Sequence, residues 1–529
     1  MYRQSFIKGT SVLIAASLVT RVLGFVYRIA LTRLIGAEGI GLFQMVFPLL
    51  TLILTIVSAG MGVAVSKLVA ESLVTGDRRR IRRILYLASV TTLVLAIALS
   101  GGMVLYGRQL SQHVFTDPRA FYPFITLTPI IGVIAVSSVL RGYFQGLQIM
   151  TTPSVASIIE TMIRIVGVWI IAAMSLAKGL EFAAAGVSGG MILGEAAGCL
   201  YMYIVYRRRY QVDRLTLPAP LGKPEPWRKT IHAILEIALP VTFSRFIGSI
   251  AFAVEPLLVT RSLLAAGVTT VLATRLYGEY SGMAIPLLVF PTVFTYSLAV
   301  QLVPSISEAV AAGKQEVIAR RLHQSFRATA LIGFPTSLIL LQFATPLCAA
   351  IFHHAHVGPL LAIMAPAGFL LYLQGPLSGI LQGINRAGLA MRNSLIGAVV
   401  KLAVIYMLAR IPSIGVSGVA FAVAISVTLT TVLHTASIHR LVGFYVDVKD
   451  TAKMLAATVV ASVAMRWLWL LLGTEMSLGL QLTMVISTGL IVYVVVLLIT
   501  RTITSHTLAR VPAVGRHLSA LARFVPFAR

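Results

Sequence analysis

Charge is what this 529-residue sequence has least of: Asp, Glu, Lys and Arg together make up 11% of it, whereas 58% is hydrophobic. A soluble protein of that length needs far more polar surface, so most of the chain must face lipid. Acidic residues are the scarcer sign, 17 against 43 Lys and Arg, for a formal net charge of +26. Cysteine is nearly absent. Cys199 and Cys348 both lie inside apolar runs, which argues against a disulfide framework, a zinc site or a thiol nucleophile. No phosphate-binding Gly-Lys-Ser/Thr loop occurs, and the stretches between apolar runs are too short to hold a nucleotide-binding domain. Transport driven by the chain's own ATP hydrolysis is therefore not expected, nor is enzyme chemistry, and no cofactor is implied.

What the sequence does contain is a succession of apolar stretches of about 20 residues, the length that crosses a hydrocarbon core of about 30 Å. Fourteen helices are predicted, near residues 10–33, 41–66, 84–106, 121–142, 154–174, 183–205, 232–254, 281–304, 326–352, 359–381, 394–411, 415–437, 452–472 and 479–500. The first lacks a small-residue cleavage site and reads as a retained helix. With the N-terminus in the cytoplasm, 30 of the 43 Lys and Arg fall on the inner side, 7 on the outer side and 6 within helices. This asymmetry predicts two cytoplasmic termini in a multi-pass membrane protein. It also accounts for the basic charge without nucleic acid, because runs such as Arg78, Arg79, Arg80, Arg82, Arg83 lie beside anionic lipid.

The chain repeats itself. Adding 237 to a position carries Glu71 to Glu308, Pro129 to Pro366, Gly142 to Gly379, Gln145 to Gln382, Gly146 to Gly383 and Arg164 to Lys401. A shift of 224 carries Arg21 and Gly24 to Arg245 and Gly248, and a shift of 229 carries Gly186–Gly189 to Gly415–Gly418. Each copy has six helices, an even number, so both enter the membrane in the same orientation, related by an axis along its normal. The expected architecture is all-α: a first lobe at 1–206, a basic linker at 207–230 rich in proline, a second lobe at 231–437, two further helices within 438–500 and a basic cytoplasmic tail at 501–529.

In such a repeat the substrate path is expected between the lobes. Arg21 and Arg245 hold equivalent places near mid-membrane, where an arginine costs several kcal/mol unless it faces a cavity or a partner. Arg164 and Lys401 form a second equivalent pair, although Glu160, four residues before Arg164, has the spacing of a helical ion pair. Arg28 lies nearer the outer face, where it either joins the cavity or snorkels, and Arg466, among Met465, Trp467 and Trp469, reads as an interfacial anchor. Four carboxylates, Glu160, Glu195, Glu236 and Glu255, lie within or at the ends of helices. Each either pairs with an intramembrane cation or carries a coupling proton or cation; Glu255, followed by Pro256, and Glu160 are the coupling candidates. His353, His354 and His356 cluster in an outer loop at a spacing that fixes no metal geometry.

Several stretches then carry a resemblance: Phe6–Thr10; Thr20–Phe25; Ser66–Glu71; Ser138–Gly146; Ser244–Gly248; Leu302–Glu308; and Asn393–Lys401. Over nearly its whole length the chain resembles the stage V sporulation protein B family, in the lipid II flippase branch of the multidrug/oligosaccharidyl-lipid/polysaccharide exporter superfamily. The resemblance implies a two-lobed bundle that flips an undecaprenyl-pyrophosphate-linked saccharide by alternating access, with lipid II for spore-cortex peptidoglycan as the expected cargo. Membrane lipids and cell-wall synthases are the implied partners. The lipid II flippases carry a helix 1 motif of Ser, Arg, two residues, Gly, two residues, Arg, Asp; here Arg21 matches the first arginine, Tyr27 stands at the second and Arg28 at the aspartate. A cationic cavity of Arg21, Arg245, Lys401, Arg164 and Arg28 would suit a pyrophosphate. The alternatives are export of another lipid-linked polysaccharide unit, cation-coupled drug export on the same fold, and a non-transport partner role in cell-wall synthesis.

Overall fold

Where no water reaches a peptide group, a chain this apolar can cross lipid only as helices or as a closed barrel. The computed structural model describes residues 6–74, 77–216, 226–443, 447–473 and 476–503, and every regular element among them is a helix. The chain packs as two compact units, Met1–Gly282 with Ala409–Ser413, and Met283–Leu408 with Ile414–Arg529. The first holds α1 (Phe6–Val74), α2 (Arg78–His113), α3 (Phe121–Thr126), α4 (Thr128–Gly146), α5 (Thr151–Leu176), α6 (Leu180–Thr216), α7 (Trp227–Ala265) and α8 (Thr270–Gly278). The second holds α9 (Ile285–Val289), α10 (Thr292–Ala311), α11 (Gln315–Gln342), α12 (Ala344–Phe352), α13 (Gly358–Met364), α14 (Gly368–Gly383), α15 (Ala387–Leu408), α16 (Val416–Val442), α17 (Val448–Leu472) and α18 (Leu478–Ile499).

Twelve of the described helical segments are long and apolar enough to cross a membrane, and α11 with α12, bent by 82°, makes a thirteenth. The remaining predicted span falls within α1. At 69 residues α1 would run for about 100 Å as a straight rod, some three times the hydrocarbon thickness. Gly36 breaks it with φ 67°, a left-handed value that glycine adopts without steric penalty. Each of the two arms, 6–35 and 37–74, is by itself long enough to cross the hydrocarbon core, against the two helices expected there from the sequence.

The internal repeat is built into the packing. A Cβ added at Gly142 or Gly146 of α4 would lie 2.6 Å from the carbonyl oxygen of Gly62 or Ser66, respectively, on α1. In the second unit a Cβ at Gly379 or Gly383 of α14 would lie 2.9 Å from the Ala299 oxygen or 3.1 Å from the Val303 oxygen on α10. All four pairs are related by the same shift of 237, and in each copy the two glycines let one helix backbone rest on another.

Packing divides later in the chain than the predicted linker does. Arg207–Thr216 continue α6 and Trp227 opens α7, while residues 217–225 lie outside the described residues, as do 504–529 of the predicted tail. α7 stays with the first unit because it lies along the second arm of α1. Thr55 and Ser249 share a 2.9 Å hydrogen bond, and Gly60 leaves room for the Ala238 backbone. The helix predicted at 281–304 starts earlier, as α8, and passes through a π-helical turn at Glu279–Ala284.

Cores form where helices meet: around Leu42, Phe124 and Ile131 and around Ile84, Phe144 and Met202 in the first unit, and around Leu322, Ile306 and Ile380 in the second. Outward positions stay apolar, as at Leu105 (80% exposed) and Met174 (73%), which is what contact with lipid requires. α17 and α18 join the second unit through Ala330, Met454 and Tyr493 and through Phe343, Met465 and Leu482. At the α11–α12 bend Ser462 donates to the Gln342 side chain (2.7 Å), and the Gln342 amide donates to the Ser462 carbonyl (3.3 Å).

Candidate functional site

α6 carries glycine at every fourth position, Gly186, Gly190, Gly194 and Gly198, on one face of the helix. A side chain at any of them would strike α5. Added Cβ atoms would lie 2.9 Å from the Ala172 nitrogen at Gly186, 2.6 Å from the Glu160 oxygen at Gly194 and 3.1 Å from the Ala156 oxygen at Gly198. Two helices pressed together along their backbones hold their neighbouring side chains in fixed register.

That register assembles four charges. Glu160 and Arg164 of α5 form an i,i+4 ion pair between Oε1 and Nη2. Arg141 of α4 reaches Glu160 Oε2 at 2.8 Å and donates to the Ser157 hydroxyl at 2.9 Å. Glu195, next to Gly194 on α6, is 8% exposed and stands 3.9 Å from the same Nη2 atoms of Arg141 and Arg164. Glu160 therefore accepts from both guanidiniums, whereas Glu195 stands beyond hydrogen-bond distance of the two Nη2 atoms and lies against the Glu160 carboxyl.

A second polar group lies around the π-helical turn. Such a turn displaces the backbone hydrogen-bond register and frees a carbonyl for outside donors. The Ser281 carbonyl accepts from Arg28 Nη1 at 3.1 Å and from the Gln44 amide at 3.4 Å. One residue earlier, the buried Tyr280 hydroxyl donates to Glu255 Oε1 of α7 at 2.7 Å, and Glu255 is itself buried.

A third group gathers near the Gly36 break. Arg119 bridges Glu38 (2.7 Å) and Asp117 (2.8 Å), and the 2%-exposed Asp117 also accepts from Thr274 of α8 at 3.0 Å. Thr116 and Thr260 of α7 pair at 2.5 Å, and Arg261 donates to the His113 carbonyl.

The predicted site residues fall as follows. Arg21 is half-buried on the first arm of α1, seven residues before Arg28 and so on the same face. Arg245 is exposed on α7, with its carbonyl accepting from Ser249 at 3.0 Å. The glycines that follow these two arginines in both copies, Gly24 and Gly248, have nothing within 4 Å of an added Cβ, unlike those on α4 and α6. Lys401 is half-buried on α15 of the second unit. Glu236 is exposed beside His232, and Arg466 is exposed on α17. His353 ends α12 with φ 62°, and no group of three or more His, Cys, Asp or Glu among the described residues is placed to hold a metal.

Sequence reasoning missed Arg141, which stands at the end of the predicted 121–142 span and was counted with the connection after it; α4 continues to Gly146 and carries Arg141 inside. The fourfold glycine spacing on α6 was the signal that Glu195 would meet Glu160 and Arg164. Nothing in the pattern announced the π-helical turn or the Asp117 cluster.

The chain matches the Polysaccharide biosynthesis protein family over residues 6–310 and the MatE family over residues 268–407. Stage V sporulation protein B of Bacillus subtilis (strain 168) is 37% identical over 516 residues, covering 98% of this chain and 99% of its own. Lipid II flippase MurJ of the same organism is 22% identical over 497 residues, with coverages of 88% and 89%. Among solved structures, a lipid II flippase MurJ in an inward closed conformation aligns with a TM-score of 0.66 at 14% identity, over 92% of this chain and 98% of that one. An inward-facing multidrug resistance transporter of the MATE family aligns with a TM-score of 0.64 at 14% identity, over 82% and 98%. These two show a shared fold. With its membrane-spanning helices, its internal duplication and a near-complete match at 37% identity, the chain belongs to the polysaccharide biosynthesis protein family, on the branch of stage V sporulation protein B.

Proposed function

We propose that the protein is a flippase that carries an undecaprenyl-pyrophosphate-linked saccharide across the cytoplasmic membrane by alternating access, with lipid II for spore-cortex peptidoglycan as its cargo. The observation that carries this reading is Arg28, a guanidinium inside a membrane-spanning helix that is held by a neutral carbonyl. A cation kept in that environment on an uncharged acceptor favours an anionic visitor. Arg21 on the same face, Arg245 on the equivalent helix of the other copy and Lys401 extend the set, and a pyrophosphate offers oxygens that arginine forks grip in pairs. Arg164 joins only by leaving Glu160. The full-length relatedness to stage V sporulation protein B and the match to lipid II flippase MurJ support the same cargo class. The basic helix ends are assigned to the cytoplasm, so the Gly36 break and the Asp117 cluster lie at the outer side.

The test is reconstitution in liposomes with labelled lipid II on one leaflet, comparing the native chain with the Arg21→Ala/Arg245→Ala variant. Protein-dependent movement that the double variant loses at equal protein content is expected. No movement by folded native protein, under an imposed potential and under proton and sodium gradients, would overturn the cargo assignment. Full movement by the variant would overturn the site.

A further inference from the structure

At the positions equivalent by a shift of 237, the second copy does not repeat the charges of the first-unit network. Shifting by 237 turns Arg141 into Ser378, Glu160 into Gly397 and Arg164 into Lys401, so the only charge common to both copies is the cation on α5 or α15. In the first copy that cation is surrounded by a second arginine and two carboxylates.

We propose that this network is a proton-binding site in which Glu195 takes up and returns the proton. Glu160 has already engaged both Nη2 atoms, and Glu195 stands 3.9 Å from each of them, outside hydrogen-bond range. Two ionised carboxylates side by side at one pair of guanidiniums repel each other, the more so where the dielectric is low. They cannot move apart, because Gly194 seats the α6 backbone against Glu160 and Arg164 themselves. A proton on Glu195 removes that repulsion. The groups facing the network from each packed helix are Tyr27 of α1, Ser137 of α4, Ser157 of α5 and Cys199 one turn along α6.

Protonation changes what the cluster offers. With both carboxylates ionised the two guanidiniums are balanced; with Glu195 neutral the cluster carries one net positive charge, beside the helix that bears Arg21 and Arg28. Proton uptake and anion binding then favour each other, and each strengthens the other by the same factor. This coupling rests on the flippase reading above, whereas the proton site itself does not.

The test uses the full chain in lipid nanodiscs, with infrared difference spectra between acid and alkaline buffer reading the carbonyl stretch of a protonated carboxyl. A titrating carboxyl band in the native chain, lost in Glu195→Gln and kept with a displaced midpoint in Glu195→Asp, is expected. Calorimetry with inorganic pyrophosphate in two buffers of different ionisation enthalpy should show proton uptake by the native chain and none by Glu195→Gln. A native chain without a titrating band, or a band that persists unchanged in Glu195→Gln, overturns the proposal even if lipid II is flipped. A band that behaves as expected in a protein that moves no lipid II leaves the proton site standing and removes the flippase reading.

Discussion

Glu160 is the residue on which the first-unit network turns, because it is the carboxylate to which both arginines donate. Glu160→Ala would leave two guanidiniums with Glu195 alone at 3.9 Å, and stranding a largely buried charge costs about 3 kcal/mol. The expected outcome is a clear drop in the unfolding midpoint in detergent, with a smaller drop for Glu160→Gln, which still accepts from one arginine. Equal stability of both variants and the native chain would mean that solvent or lipid headgroups already serve these arginines. At this scale the sequence was only half legible. The i,i+4 pair of Glu160 and Arg164 was readable from spacing alone, whereas Arg141 and Glu195 come from other helices, and one-dimensional spacing carries no information about which helices touch. Arg28 shows the same limit: hydropathy gives its depth, but its acceptor exists only because α8 runs into a π-helical turn.

Among the helices, the α5–α6 pair makes the sharpest prediction. Gly194→Ala would bring a methyl group to 2.6 Å from the Glu160 carbonyl oxygen, a distance that forces the backbones apart, whereas Gly101→Ala or Gly102→Ala on α2 meets nothing within 4 Å. Gly194→Ala should therefore lower the thermal midpoint by several degrees and abolish the Glu195 titration, while the α2 variants remain at the native value or slightly above it, since alanine favours helix by up to about 1 kcal/mol over glycine. Scanning fluorimetry on the three variants checks this, and an unaffected Gly194→Ala would show that the two helices separate freely. The membrane-spanning helices were readable because apolar length is a property of composition. The bends were not. Gly36 splits α1 and an 82° turn splits the predicted 326–352 span, and both depend on local dihedral angles to which a hydropathy window is blind.

For the molecule as a whole, the cluster at the Gly36 end ties Glu38, Asp117 and Arg119 of the first repeat to Thr260 and Thr274, which follow the start of the second. If the two repeats rock during transport, these contacts must part on the outer side. Thr116 and Thr260 are close enough for a cysteine pair to bridge them, and the only native cysteines are Cys199 and Cys348. In a background lacking those two, Thr116→Cys/Thr260→Cys should oxidise readily, stop lipid II movement in liposomes and regain it on reduction. Undiminished movement with the bridge intact would show that this end stays closed throughout the cycle.

The Gln342–Ser462 pair gives α17, one of the two helices outside the repeat, a meaning for the order of insertion. Two polar groups satisfy each other at the bend between α11 and α12, so a nascent chain that has inserted only as far as α16 exposes an unmatched amide to lipid until α17 arrives. The arrival of α17 closes that gap. At this bend the duplicated core depends, for the partner of a polar side chain, on a segment that the duplication never supplied.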